Sequence, residues 1–193
     1  MTHFLEETKD EVSRMVNFYL DVETTSLDPH KGEIITIQYQ RLDFETREVV
    51  GDLVILKAWE SSEKEILKKF QHAFGDGEWD FVAHGYNLKF ENDFLYHRSK
   101  HHKLKPIKLF DKPTVDLHST GILLNRGQFK GSGLNMISGK EGNGLVIIDA
   151  YKEKNYAKIE AYIKQEAAEY NRLLVWLVAN MPRVLGEFRV SLI

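Results

Sequence analysis

Cysteine is absent from the 193 residues, which removes disulfides, thiolate zinc sites and cysteine nucleophiles; any metal must be held by oxygen or imidazole. Long apolar runs are missing too, so no segment is expected to span a bilayer. The opening Met1-Thr2-His3-Phe4-Leu5-Glu6-Glu7 lacks the basic-then-apolar order of a signal peptide, and together these absences lead us to expect a cytoplasmic protein. Excess positive charge is also lacking. The formal net charge of -3 excludes the global positive field of an avid, nonspecific nucleic-acid coat protein. What remains is 42% hydrophobic and 28% charged, the balance of a globular chain, and no repeat, low-complexity tract or linker divides it. One domain over residues 1–193 is the expectation.

Three strand-like runs come first: Phe18–Thr25, Ile34–Leu42 with Ile35, Ile37 and Tyr39 alternating on one face, and Val49–Trp59. Their short connections predict an antiparallel meander. Ser62 with Glu65 forms a capping-box pattern that opens a helix reaching about Phe74, with a stop at Gly75-Asp76-Gly77. A short strand over Asp80–His84, a helix from about Leu88 to Lys100, and a strand at Thr114-Val115-Asp116-Leu117 leading into a turn or helix near His118–Asn125 follow. The glycine-rich stretch from Gly127 to Gly144 predicts mostly loop, and its Lys130-Gly131-Ser132-Gly133, which lacks P-loop spacing, a plain turn. A long helix is expected from about Tyr156 to Ala179, ending before Pro182. Strands followed by alternating helix and strand give an α/β fold with a mixed sheet.

Chemistry concentrates on Asp21 and Glu23. In a strand the side chains alternate, so Tyr19, Asp21 and Glu23 share one face while Phe18, Leu20 and Val22 pack on the other. Two neighbouring carboxylates resist joint ionisation, and a hard divalent cation bound to their oxygens is the simplest reason to place them together. Two further acids sit where structure alone does not ask for them. On a helical wheel with Leu88 at zero, Glu91 falls at about 300°, inside the apolar arc of Phe94 and Leu95, whereas Asp93 falls at about 140° with Lys89 and His97 on the polar side. With Tyr156 at zero, Glu166 falls at about 280° among Ile159, Ile163, Tyr170 and Leu174, one turn beyond Tyr162; Glu169, at about 220°, lies at the margin. Neither arc is expected to contain a basic residue, so a metal is the expected partner. Asp116 and Asp149 are expected to be turn or helix-cap acids, and His84, His118, His101 and His102 surface or satisfied residues.

The segment from Tyr96 to Lys112 is locally basic, with Arg98, Lys100, Lys103, Lys105, Lys108 and Lys112 against the single acid Asp111. A solvated helix end and loop accounts for it; a phosphate-tracking surface is the functional alternative.

Phe18–Pro29, an apolar strand carrying Asp-x-Glu-Thr-Thr-x-Leu-x-Pro, resembles the first motif of the DEDD superfamily of 3'-5' exonucleases. Asn87-Leu88-Lys89-Phe90-Glu91 resembles the second motif, with glutamate in place of aspartate. Tyr162-Ile163-Lys164-Gln165-Glu166 resembles the third motif of the tyrosine-type branch, again with glutamate. The histidine-type branch fits less well, since no His stands five residues before a late acid. The three motifs occur in order over nearly the whole chain. The resemblance implies an RNase H-like fold similar to the proofreading domain of family B DNA polymerases, in which a mixed sheet is flanked by helices. It also implies a metal-dependent exonuclease acting on the 3' ends of single-stranded DNA or RNA and releasing nucleoside monophosphates.

By the same resemblance, Asp21 would bridge two Mg2+ or Mn2+ ions, Glu23 and Glu166 would complete one site, and Glu91 would support the other. Tyr162 would orient the attacking water. Thr24, Thr25 and Leu27 would lie near the terminal nucleotide and Asn87 near the metals or the substrate backbone; charge alone adds Arg98 and Lys100 as guides for the strand. Glutamate lengthens each arm by one methylene, and a shift of about 1 Å in a catalytic array costs on the order of 100-fold. The alternative reading is therefore a weakened or inactive RNase H-like module that binds nucleic acid or docks a partner.

Overall fold

The computed structural model describes residues 15–75, 80–138 and 144–190. The chain start, part of the expected stop after Gly75 and part of the glycine-rich stretch lie outside the described residues. Five strands form one sheet in the order β3-β2-β1-β4-β5. β1 (Met15–Thr24), β2 (Ile34–Leu42) and β3 (Val54–Lys57) make the antiparallel meander, while β4 (Asp80–Gly85) and β5 (Thr114–Asp116) add in parallel beside β1. The mixed sheet flanked by helices is thus the fold expected from sequence. β3 is shorter than its apolar run: Val49 makes only an isolated bridge to Leu42, and Ala58–Glu60 turn into a 3-10 helix.

Six α-helices cover the sheet among the described residues: α1 (Glu63–Gly75), α2 (Leu88–His101), α3 (His118–Leu124), α4 (Leu134–Ser138), α5 (Leu145–Lys152) and α6 (Tyr156–Val190). The expected cap of α1 is present, with the Glu65 backbone N–H donating to Ser62 Oγ at 3.2 Å. On one face of the sheet Leu20, Val22 and Ile37 pack with Leu67 and Phe70 of α1 and Phe94 of α2. On the other, Tyr19 packs with Tyr170 and Leu174 of α6, and Ile35 packs with Ile147 of α5 and Ile163 of α6. The period-two alternation of β1 accordingly sends Phe18, Leu20 and Val22 to one layer and Tyr19 to the other. No helix among the described residues is long and apolar enough to cross a membrane.

Two expectations are corrected. Ile35 does not share a face with Ile37 and Tyr39. The pairing of β1 with β2 shifts between Glu23 and Thr24, which oppose Thr36 and Ile34, so Ile35 is the extra residue of a bulge and turns to the α6 side. Helix α6 also continues through Pro182 to Val190. Proline lacks one N–H but does not force the chain out of a helix; the Asn180 side-chain amide donates to the Trp176 carbonyl at 2.8 Å, and Arg183 pairs with Glu187 one turn on.

A buried polar pair ties β1 to β4, with His84 Nε2 2.8 Å from Asn17 Oδ1. Burial, and secondarily the charge of Arg47, lowers the His84 pKa to about 4. In the unfolded chain a histidine takes its proton near pH 6.5, so between there and about 4 only the unfolded state gains it and stability falls with acidification. We expect a loss of about 2 kcal/mol from this residue between pH 6.5 and pH 4.5, and a shallower pH slope in His84→Gln, measured by urea unfolding. Equal slopes in the two proteins would refute the assignment.

Candidate metal centre

The C-terminal end of β1, the first turn of α2, α5 and the first half of α6 enclose a cleft of about 460 Å³. Its walls include Asp21, Glu23, Glu91 and Glu166, the four carboxylates singled out in the sequence, together with Thr24, Leu27, Asn87 and Tyr162. No basic residue lines it among the described residues. Thr25 is outside the lining; its Oγ1 accepts the Glu33 backbone N–H at 2.9 Å and closes the loop after β1.

Each acid arrives from a different local cause. Strand alternation puts Asp21 opposite Gln38 of β2, whose Nε2 donates to Asp21 Oδ2 at 2.7 Å. Glu91 is only 3% exposed because its helix face is the buried one, shared with Leu88, Phe94 and Leu95. The start of α2 is fixed from another strand: Asp116 of β5 accepts the Asn87 N–H at 2.8 Å and the Leu88 N–H at 2.9 Å. Asn87 takes a left-handed conformation (φ 68°) to make this turn. Gly85 just before it has to lack a side chain, since a Cβ there would stand 2.5 Å from Leu88 Cδ2 and 2.9 Å from the Leu20 carbonyl oxygen. Asp116 is therefore a helix cap, as expected, and that cap sets where Glu91 enters the cleft. Glu166 lies on α6 one turn beyond Tyr162, and the two side chains are hydrogen-bonded.

Crowding of like charge governs the protons. Protein packing around Asp21, followed by the nearby Glu166, pushes its carboxyl up to about 7 against the opposing hydrogen bond from Gln38. Glu91 is raised well above the usual carboxylate range, first by burial and then by Asp21, with which it shares a side-chain hydrogen bond. Its Oε2 is buried with no hydrogen-bond partner among the described residues. Burial and Glu166 also raise the Tyr162 phenol, which keeps its proton.

A hard divalent cation takes carboxylate oxygens in preference to nitrogen, and this donor set fits one: four acids, no competing base in the lining, and an orphaned oxygen on Glu91. Among the described residues no three acidic or imidazole groups are arranged to hold an ion as they stand. The hydrogen bond between Asp21 and Glu91 holds a proton where a cation would bind.

Within the basic segment, Arg98 departs from the expectation that it guides the strand. Arg98 is buried and forms a two-pronged ion pair with Glu63 of α1, Nε to Oε1 at 2.8 Å and Nη2 to Oε2 at 2.7 Å. At about 280° on the wheel it lies in the same arc as Glu91, contrary to the expectation that the arc holds no basic residue. Lys100 is exposed over the Tyr96 ring, away from the carboxylate cleft. Lys105, Lys108 and Lys112 border a separate hollow of about 400 Å³ with Gln71 and Phe74. Glu169 pairs with Arg172, and Asp93 with Lys89, which leaves both outside the cleft as expected. The turn at Lys130–Gly133 is confirmed, its Ser132 carbonyl accepting the Tyr86 hydroxyl.

The sequence reading did not single out Gln38, Tyr86, Leu145 and Ile148. Tyr86 precedes the second motif directly, and Leu145 and Ile148 belong to an apolar run after the glycine-rich stretch, so adjacency was the available signal.

Comparison with known proteins agrees with this architecture. A family model described as the RNase H superfamily matches residues 18–172. No curated protein matches the sequence. Among solved structures, the zinc-bound form of an E. coli exonuclease I complex with single-stranded DNA is similar with a TM-score of 0.61, at 13% identity, over 91% of this chain and 43% of that one. E. coli exonuclease I with a dT13 oligonucleotide is similar with a TM-score of 0.61, at 12% identity, over 90% of this chain and 43% of that one. At such identities the likeness is one of fold, and the chain spans less than half the length of those proteins.

Proposed function

The chain belongs to the RNase H superfamily, and from that premise we propose that it is a metal-dependent 3'-5' exonuclease that releases nucleoside monophosphates from single-stranded nucleic acid. One observation carries the reading: Asp21, Glu23, Glu91 and Glu166 line a single cleft with no basic residue in its described walls. The solved structures of similar fold that hold single-stranded DNA support the choice of substrate class.

On this reading Asp21, Glu23, Glu91 and Glu166 hold Mg2+ or Mn2+. Two such ions supply an activated water and neutralise charge on the leaving 3' oxygen. The residues of the chain do the rest. Tyr162 keeps its proton and donates it to Glu166, so its phenolic oxygen is left to accept a hydrogen bond from the attacking water; it orients that water and is not its base. Leu27, 73% exposed at the rim, and Phe90 present apolar surface to the terminal sugar and base. Thr24 and Asn87 supply polar groups beside them. A cation must displace the proton on Asp21, so apparent Mn2+ affinity, measured by titration of the metal-free protein, is expected to rise with pH up to about 7, the value for Asp21 without metal, and to level off above it.

The test is a 5'-labelled single-stranded oligonucleotide incubated with the purified protein and Mn2+. A ladder shortening from the 3' end, with mononucleotide product that disappears on chelation, is the expected result. An intact oligonucleotide across metals, pH and both DNA and RNA would overturn the proposal.

A further inference from the structure

The middle of β2 puts a fully buried glutamine directly beside the first acid of β1. Gln38 pairs across the ladder with Asp21 and shares its face of the sheet, whereas Ile37 next to it joins the apolar layer on the other side. A buried polar side chain is ordinarily stable only when its groups are paired. Gln38 is half paired. Its Nε2 donates to Asp21 Oδ2 at 2.7 Å, while its Oε1, equally buried, has no hydrogen-bond partner among the described residues. Gln40, two residues on and facing the same way, shows what a structural glutamine does here: its Nε2 donates to the Gly51 carbonyl at 2.9 Å and its Oε1 accepts from Asn171 at 3.5 Å, so both ends tie elements together. Gln38 ties nothing but Asp21. Its orphaned oxygen destabilises the fold, and a methionine or leucine would fill the same space without that cost.

On the metal reading of the cleft, we propose that Gln38 is a positioning residue: its amide fixes the plane of the Asp21 carboxylate so that the remaining lone pairs face the cations. An ionised carboxylate offers about four acceptor positions. The amide takes one of them on Oδ2, which sets the rotation of the carboxylate before an ion arrives. A neutral donor suits this place best. Lysine or arginine would cancel the charge that draws the cation, and another acid would add repulsion, whereas an amide orients Asp21 and leaves its charge intact. Gln38 is outside the cleft lining, so it acts through Asp21 and touches neither ion nor strand. Groups that hold a metal ligand from behind are worth roughly 10–100-fold in metal affinity.

Mn2+ titration of the metal-free protein at one fixed pH, read from the paramagnetic resonance of the free ion, tests the role beside thermal unfolding in chelator. Gln38→Met, which fills the same space without a donor, is expected to bind Mn2+ roughly 10-fold more weakly or worse, with an unfolding midpoint within about 5 °C of the wild type. Gln38→Asn, whose amide stops one methylene short of Asp21, is expected to lose affinity in the same way, and Gln40→Met to keep it. Unchanged affinity in Gln38→Met, with or without a lower midpoint, would make Gln38 a structural residue and overturn the proposal. An equal loss in Gln40→Met would do the same, since it would trace the effect to the sheet. A wild-type protein that binds no Mn2+ would instead overturn the metal reading, and the role of Gln38 with it.

Discussion

Asp21→Asn is expected to reduce Mn2+-dependent shortening of an oligonucleotide by at least roughly 10³-fold while leaving the metal-free protein as stable as the wild type or more so. The two effects have one origin. Asp21 is coupled to two other members of the cluster: Glu166 raises its pKa through space, and Glu91 shares a hydrogen bond with it. Its ionised form is the one a cation requires and the one the metal-free fold opposes. The sign follows from the shift. An unfolded aspartate ionises near pH 3.8, and in the folded chain Asp21 holds its proton to about 7, so its contribution to stability declines as pH rises between those values and is flat above them. Asparagine removes that decline and keeps an oxygen for the Gln38 amide, which now donates to Asp21 Oδ2 at 2.7 Å. Activity assays and thermal unfolding of the same preparation, with chelator present for the second, separate the effects. A variant that keeps its activity would remove Asp21 from the chemistry, and one that loses activity and fold together would assign the loss to destabilisation.

The largest loss of stability is expected from Glu63→Ala, about 3–5 kcal/mol by chemical denaturation, a substantial part of the 5–15 kcal/mol typical of a domain. Glu63 is 8% exposed and meets four donors or partners: Arg98 twice, His102 Nε2 at 2.6 Å, and the Ile34 backbone N–H at 2.7 Å. This cluster joins α1, α2 and the start of β2. Alanine leaves the Arg98 guanidinium, 6% exposed, without its counter-charge and frees a buried N–H at the base of the loop that returns from the cleft. Replacing both partners by apolar residues, as in Glu63→Leu with Arg98→Met, is expected to recover much of the loss, because the cost lies in the unpaired charge.

The pH dependence has a definite sign as well. Burial by itself would raise the Glu63 pKa, but hydrogen bonds from Arg98, His102 and Ile34 overcome it and lower the value. The stabilisation is therefore complete above the ordinary glutamate value of 4.5 and is lost as pH falls through the lower folded one. A loss below about 1 kcal/mol in Glu63→Ala would mean that the pair contributes no more than a surface bridge.

Most of the candidate site was legible because it rests on periodicity within single elements. Strand alternation alone sends Asp21 to the α6 side, and the helical wheel alone turns Glu91 inward, where it is 3% exposed. What periodicity does not carry is the partner across the chain. Glu63 and Arg98 are far apart in sequence, and each taken singly is an ordinary charged helix residue; only the packing of α1 on α2 makes them a pair. Arg98 nevertheless left a trace, since it occupies the same buried arc as Glu91. The bulge at Ile35 was invisible for a related reason: an extra residue changes the face of a side chain without changing the composition of the strand. Pro182 misled in the opposite direction, because a proline marks a missing hydrogen bond and a helix with enough neighbouring support runs past it. The proton shared by Asp21 and Glu91 depends on the closeness of two elements, and sequence spacing says nothing about that distance.

The central claim is that glutamate at the second and third positions still closes a metal site around Asp21. Crystals soaked in Mn2+ and measured at a wavelength where manganese scatters anomalously test it most directly. The account predicts two anomalous peaks in the cleft, with Asp21 touching both and Glu23, Glu91 and Glu166 among the ligands. A cleft without a peak at millimolar Mn2+, with Asp21 and Glu91 still hydrogen-bonded to each other, would contradict it.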